Sequence, residues 1–182
     1  MTTTLWLTGL PSSGKSTLGK KLAERHRGHR EVEHLDGDVI RRELFPELGF
    51  DREDRIENIR RIGKIASMLA AHDVLVVVSV IAPFRTARAE VRAEHEDQGL
   101  NFVEVHVHAP IDICVQRDVK GLYAKAERGE VAGLTGFSDI YEAPASPEVR
   151  VDTSDCDVEE GLQMIERALD RCERERQEAI VR

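Results

Sequence analysis

The segment that most constrains this chain is a short loop near its start, Gly9-Leu10-Pro11-Ser12-Ser13-Gly14-Lys15-Ser16. An apolar run, Thr4–Thr8, precedes it, and a helical stretch over Gly14–His26 follows, with Leu18 and Leu22 on one face. The spacing GxxxxGK[ST] carries meaning in that strand–loop–helix setting. Its glycines let the backbone wrap so that successive N–H groups point at phosphate oxygens, and the helix N-terminus adds positive potential. Lys15 is expected to reach the β- and γ-phosphates of a nucleoside triphosphate, and the Ser16 hydroxyl to take a place on Mg²⁺.

The rest of the chain keeps alternating short apolar runs with helical stretches. Glu31–Leu35 reads as a second strand, Val39–Leu44 as a short helix stopped by Pro46, and Arg52–His72 as a long helix. That long helix carries an inward stripe of Ile56, Ile59, Ile62, Ile65, Ala66 and Leu69. Val74–Ile81 is continuously apolar or β-branched, as a strand buried on both faces should be. A helix over Thr86–Asp97, a strand over Phe102–Val107, a helix beginning at Ile111–Arg117 and a strand at Val149–Asp152 follow. The last helix, Val158–Gln177, turns Leu162, Ile165, Leu169 and Cys172 inward. This pattern predicts an α/β fold of the P-loop NTPase kind, with a central parallel sheet of about five strands covered by helices on both faces. Residues 118–147 are rich in glycine and charge and lack strong periodicity, which suits a partly helical, mobile lid over a site. With no repeat or linker, residues 1–182 read as one kinase-sized domain.

The chain has 26 Lys+Arg against 34 Asp+Glu, a net charge of −8, which argues against a protein that coats nucleic-acid polymers. The cysteines (Cys114, Cys156, Cys172) are irregularly spaced, as free thiols in a reducing compartment would be. His106 and His108 alternate along a strand with no carboxylate or cysteine at zinc spacing. The start lacks the basic residues of a secretory leader, and the most apolar run is too short to cross a bilayer. A cytoplasmic enzyme without membrane contact is the expectation.

Two further segments fall on the edge of the sheet where open α/β folds bind ligands. In Leu35-Asp36-Gly37-Asp38, one carboxylate can help hold a metal through water and the other can accept a hydroxyl proton. The same residues also suit an acidic turn, with Asp38 as N-cap of the next helix. Arg55 and Asn58, three residues apart on one helix face, can join Arg41 in clamping an anionic acceptor, or can be a solvated charged face. Pro83-Phe-Arg85-Thr-Ala-Arg88 leaves the central strand on the same edge. No guanine-reading Asn/Thr-Lys-x-Asp motif occurs, and short P-loop chains with a lid are most often small-molecule kinases.

Over nearly its whole length the chain resembles the adenylylsulfate kinase (APS kinase) family. The matching stretches are residues 7–17, 35–41, 49–63, 81–88, 117–137 and 141–148, among which the runs DREDRIENIRR and RDVKGLY are more specific than the P-loop. The resemblance implies transfer of the γ-phosphate of ATP to the ribose 3′-hydroxyl of adenosine 5′-phosphosulfate, giving PAPS. It places Gly9 to Thr17 and Arg117 on ATP, Asp38 beside the acceptor hydroxyl as base, and Asp36 near Mg²⁺. Arg41, Phe50, Arg55 and Asn58 would bind the acceptor, Phe50 by stacking on its base. Lys120, Gly121 and Leu122 would close over the acceptor from the lid, and Ile81, Ala82 and Leu134 would complete its pocket. A homodimer is also implied. Together, Lys15, Arg41, Arg55, Lys120 and the loop amides are expected to converge on one pocket.

Three departures from the family pattern fall on the acceptor side. Val39 stands where the family has Asn, Ala82 where it has a serine proposed to be phosphorylated, and Leu134 where it has a base-stacking Phe. Ala82 cannot carry a phosphate, and Leu134 loses an aromatic stacking geometry worth about 0.5–1.5 kcal/mol. They motivate a second reading, a kinase acting on the 3′-hydroxyl of another nucleotide. A third is a non-catalytic P-loop regulatory protein, which has little reason to keep Lys15, Ser16 and both aspartates.

Overall fold

The computed structural model describes residues 3–181; Met1, Thr2 and Arg182, the ends of the expected domain, lie outside the described residues. Its first strand, β1 (Thr3–Thr8), is buried along its whole length, as a parallel strand covered by helices on both faces must be. Successive side chains of β1 serve opposite cores, Leu5 and Leu7 on one face and Trp6 on the other. The chain continues through α1 (Lys15–His26), β2 (Val32–Asp36), α2 (Gly37–Leu44), α3 (Arg52–Ala70), β3 (Leu75–Ser79) and α4 (Arg85–Asp97). It ends with β4 (Asn101–His108), α5 (Ile111–Arg117), α6 (Leu122–Glu127), β5 (Val149–Asp152) and α7 (Val158–Val181).

The five strands form one parallel sheet in the order β2-β3-β1-β4-β5. Helices α1 and α7 cover the face of Leu5, Val77 and Val105, and Leu18, Leu22, Leu162, Ile165 and Leu169 fill that core with Cys172 at its margin. Helices α3 and α4 cover the face of Trp6, Val78 and Phe102, where Ile59, Ile62 and Ala66 are buried and Ile56, Ile65 and Leu69 pack at the edge. Both predicted stripes therefore point inward.

Three boundaries differ from the sequence reading for identifiable reasons. Helix α2 starts at Gly37 because Asp36, not Asp38, is its N-cap: the Asp36 carboxylate accepts from the backbone N–H groups of Asp38 (3.0 Å) and Val39 (3.4 Å). The paired part of β3 ends at Ser79, although Val80 N–H still donates to Leu7. Beyond it Ala82 turns into the left-handed region at φ 44°, and Pro83 has no N–H to offer. Residues 118–147 divide into two parts. The first contains α6, whose Tyr123 is buried with Leu134, Ala109 and Cys114 beside Leu10 of the P-loop. The second, residues 137–147, is a strap fastened to α4 and β4: Glu142 accepts from Arg85 N–H, and Glu148, just past its end, pairs with Arg92 while accepting from Glu104 N–H.

Candidate active site

The P-loop connects the carboxyl end of β1 to α1 and presses close against β4. A Cβ on Gly9 would lie 2.1 Å from the Val107 carbonyl oxygen, so only glycine allows this approach. Gly14, at φ 100°, lets the loop enter the first turn of α1. Lys15 is buried, and its ammonium donates to the Leu10 carbonyl at 2.6 Å across the loop. Burial drives its pKa from 10.5 down to about 8, against the opposing pull of the Asp38 carboxylate.

Beside it, the Ser16 hydroxyl donates to Asp36 Oδ2 at 2.6 Å, uniting the end of the P-loop with the end of β2. Burial pushes the Asp36 carboxyl up, but the Ser16 hydroxyl, the Asp38 N–H and the Lys120 ammonium outweigh it and hold Asp36 below the usual carboxylate range. Asp36 is thus a cap and an ionised oxygen donor at once. Asp38, in the first turn of α2, pairs with Lys120.

These groups line one cavity of about 490 Å³. It is bounded by Pro11 to Leu18 (Ser13 excepted), by Asp36 and Asp38, by Ser79 to Ile81, and by Arg117, Val119, Lys120 and Leu122 from the opposite side. Leu10 and Ser13 turn away: Leu10 packs against the α6 cluster, and Ser13 Oγ is buried without a partner.

Thr153, Cys156, Asp157 and Val158 also line the cavity, and the motif reading missed them. Thr153 Oγ1 bonds to the Ser13 carbonyl (2.9 Å) and accepts from Arg117 Nη1 (2.8 Å), while Arg117 Nη2 donates to the Thr153 carbonyl (2.6 Å). That network lays Arg117 along the cavity wall. The available signal was position alone, since these residues directly follow β5 on the ligand-binding edge.

The predicted acceptor residues form a second group at the junction of α2 and α3. Arg41 donates to the Gly49 carbonyl and lies 4.4 Å from the centroid of the exposed Phe50 ring. Arg55 is a fully engaged side chain rather than a solvated charge. Its Nε donates to the Phe50 carbonyl, Nη1 to Thr135 Oγ1 and Nη2 to the Gly133 carbonyl, each at 2.6 Å, and Asp139 stands 3.4 Å from Nη1. Arg41 and Arg55 are therefore not in the wall of the main cavity, as the expected convergence with Lys15 and Lys120 would require.

Asn58 is buried rather than solvent-facing. Among the described residues, five buried side-chain N or O atoms have no partner, and Asn58 Oδ1 and Arg41 Nε are two of them. Such groups cost about 1–3 kcal/mol each, so each needs an explanation, such as a water, an ion or a functional role. Burial and the neighbouring Arg55 also hold the Arg41 pKa below its ordinary value, a strain that an anion between the two guanidinium groups would relieve. Ile81 reaches the cavity, Ala82 is buried behind it, and Gly121 (φ 65°) starts α6 next to Lys120. Leu134 is buried in the cluster of α6 and the P-loop. His106 and His108 do share a face of β4, with Asp152 3.5 Å from His108, but no cluster of three potential metal ligands occurs among the described residues.

The adenylylsulphate kinase family profile matches residues 1–152. The adenylyl-sulfate kinase of Myxococcus xanthus is 52% identical over 158 residues, 87% of this chain and 85% of that relative. The one from Chloroflexus aurantiacus is 50% identical over 169 residues, 92% of this chain and 88% of the relative. Among solved structures, the APS kinase of Mycobacterium tuberculosis in complex with AMPPNP and APS matches with a TM-score of 0.89 at 38% identity, covering 92% of this chain and 97% of that one.

Proposed function

Because the chain belongs to the adenylylsulphate kinase family, an ATP-dependent kinase of adenosine 5′-phosphosulfate, we propose that it carries out the transfer in the cavity where Lys15, Asp36, Asp38 and Lys120 meet. The observation that carries this assignment is the placement of both aspartates against the P-loop: Asp36 touches Ser16, and Asp38 faces the same cavity. ATP would lie along residues 9–17 with Arg117 and Thr153 beside its base. The acceptor would enter from the α2–α3 side, its base on Phe50 and its anionic group between Arg41 and Arg55, with Asn58 Oδ1 as a polar contact.

The donor set fits Mg²⁺, since a hydroxyl and an ionised carboxylate in contact are hard oxygen ligands. Ser16 and Asp36 would hold it, Asp36 through water, and bound there it would neutralise charge on the phosphates. Phosphoryl transfer asks mainly for position and charge from the protein. Lys15 and the loop amides meet the transferring phosphoryl group. Asp38 receives the proton of the 3′-hydroxyl, and Lys120 covers the acceptor from the lid. Residues 1–182 act as one kinase domain, with residues 118–147 as its lid, in the cytoplasm and as a homodimer. No helix among the described residues is long and apolar enough to cross a membrane.

The decisive experiment measures ATP consumption by the purified protein with adenosine 5′-phosphosulfate and with a panel of purine and pyrimidine nucleotides bearing a free 3′-hydroxyl. Turnover with the phosphosulfate in preference to the panel is expected. Turnover confined to a pyrimidine nucleotide would overturn the acceptor assignment, and no turnover at all would overturn the catalytic one.

A further inference from the structure

Three successive carbonyl oxygens after β3 are each held by a different partner. Thr8 Oγ1 donates to Ile81 O at 2.5 Å, Arg88 Nη1 to Ala82 O at 2.6 Å, and the Glu142 N–H to Pro83 O at 2.9 Å. Ala82 lies at φ 44°, which a residue with a side chain adopts only where its surroundings over-determine it. Arg88 supplies much of that determination. It is 2% exposed, and its planar fork spans three segments: Nε on Glu104 of β4 (2.8 Å), Nη1 on Ala82, and Nη2 on the Glu142 carbonyl of the strap (2.7 Å). Thr8 bonds the same strap through Tyr141 Oη at 3.1 Å. Neither Thr8 nor Arg88 lines the cavity, whereas Ile81 does.

We infer that Arg88, seconded by Thr8, is a positioning residue for the acceptor, fixing the backbone of the buried Ala82 and through it the pose of Ile81, against which the acceptor nucleotide binds. The inference rests on the reading of Ile81 as an acceptor contact. A guanidinium fixes two carbonyls and a carboxylate in one plane, whereas a lysine offers a point charge and fixes no plane. Glu104 compensates the buried charge, so the arrangement is stable without ligand. The ATP side is built from the P-loop, Arg117 and Thr153, none of which is bonded to Arg88. Loss of the fork should therefore fall on the acceptor alone.

The test is steady-state kinetics of Arg88→Lys and Thr8→Val in the whole chain, with ATP and adenosine 5′-phosphosulfate varied separately. For Arg88→Lys the KM for the phosphosulfate is expected to rise about tenfold, with kcat and the KM for ATP within about twofold of wild type. Thr8→Val should move the same parameter in the same direction by less. Thermal melting and AMPPNP binding establish that each variant is folded; should Arg88→Lys not fold, Thr8→Val decides. Folded variants with an unchanged KM for the acceptor, or with both KM values raised alike, would overturn the inference. A wild-type protein inactive on the phosphosulfate overturns the functional assignment instead, and the same KM split is then read with the panel nucleotide that it does phosphorylate.

Discussion

Lys120, between α5 and α6, places its ammonium on the carboxylate of Asp38 at the head of α2, 82 positions earlier in the chain. Both side chains are more than half exposed, so this pair contributes little to stability. Both residues line the cavity, where the proposed function puts the acceptor hydroxyl.

Lys120→Ala is accordingly expected to change unfolding free energy by less than about 0.5 kcal/mol while raising the KM for the acceptor severalfold. Asp38→Ala should lower kcat by about 10²-fold or more, the scale of lost base catalysis. Denaturant unfolding and initial rates measure the two effects separately, and a near-normal kcat in Asp38→Ala would remove that carboxylate from the chemistry.

Asp36 combines a structural and a functional role that one substitution can separate. Asparagine caps helices about as well as aspartate, so Asp36→Asn should fold with a melting temperature close to wild type. It lacks the ionised oxygen beside Ser16, so its kcat should fall at least tenfold, and the Mg²⁺ concentration giving half-maximal rate should rise. A magnesium titration of the variant checks this, and chelation of divalent cations should stop wild-type turnover.

Burial sets the pH behaviour of Lys15. Its pKa in the unliganded protein is about 8, below the 10.5 of an exposed lysine. The triphosphate needs the ammonium form, so AMPPNP affinity should be full below pH 8 and fall as pH rises through it. Binding above that pH should take up a proton, because the phosphates restore the lysine's basicity. Calorimetry in buffers of different ionisation enthalpy reads that uptake directly. The Lys15 contribution to the stability of the unliganded fold runs the other way. Between about pH 8 and 10.5 the unfolded chain binds more protons, so stability rises with pH in that window. Lys15→Ala should abolish both dependences and lower kcat by at least about 10²-fold.

Gly19→Ala reverses an ordinary rule. Alanine in a helix interior is usually preferred to glycine by about 1 kcal/mol. Here the added Cβ would stand 2.3 Å from Ser79 Oγ and 2.7 Å from His34 Nε2, two atoms bonded to each other at 3.0 Å. A net loss of about 1–3 kcal/mol is expected from overpacking, measured by thermal or denaturant unfolding; a gain in stability would show that α1 can move away from the sheet.

The site was legible in the sequence wherever contiguous residues carry the chemistry. The loop from Gly9 to Ser16 announces its ligand because backbone amides, a lysine and a hydroxyl all come from one turn of chain. The aspartates at 36 and 38 were readable as a pair, but their division of labour was not: which of them caps α2 depends on where β2 stops pairing with β3. For Arg55 and Asn58 the sequence left two readings open, an acceptor clamp or a solvated face; the structure removes the second, burying Asn58 and engaging Arg55 with Gly133, Thr135 and Asp139, far along the chain. Thr153 and Cys156 had no motif to announce them.

The sequence by itself determined the P-loop, the order of strands and helices and the inward stripes, because hydrophobic periodicity and turn chemistry are local properties. It also carried the family, through runs such as DREDRIENIRR. Only the tertiary structure decided which distant groups share a cavity. Lys120 comes to rest on Asp38, Thr153 on Ser13 and Arg88 on Ala82, because parallel strands joined by long crossovers bring the ends of β1, β2, β3 and β5 to one edge. Contacts of that span are set by sheet order, and no periodicity in the chain encodes them.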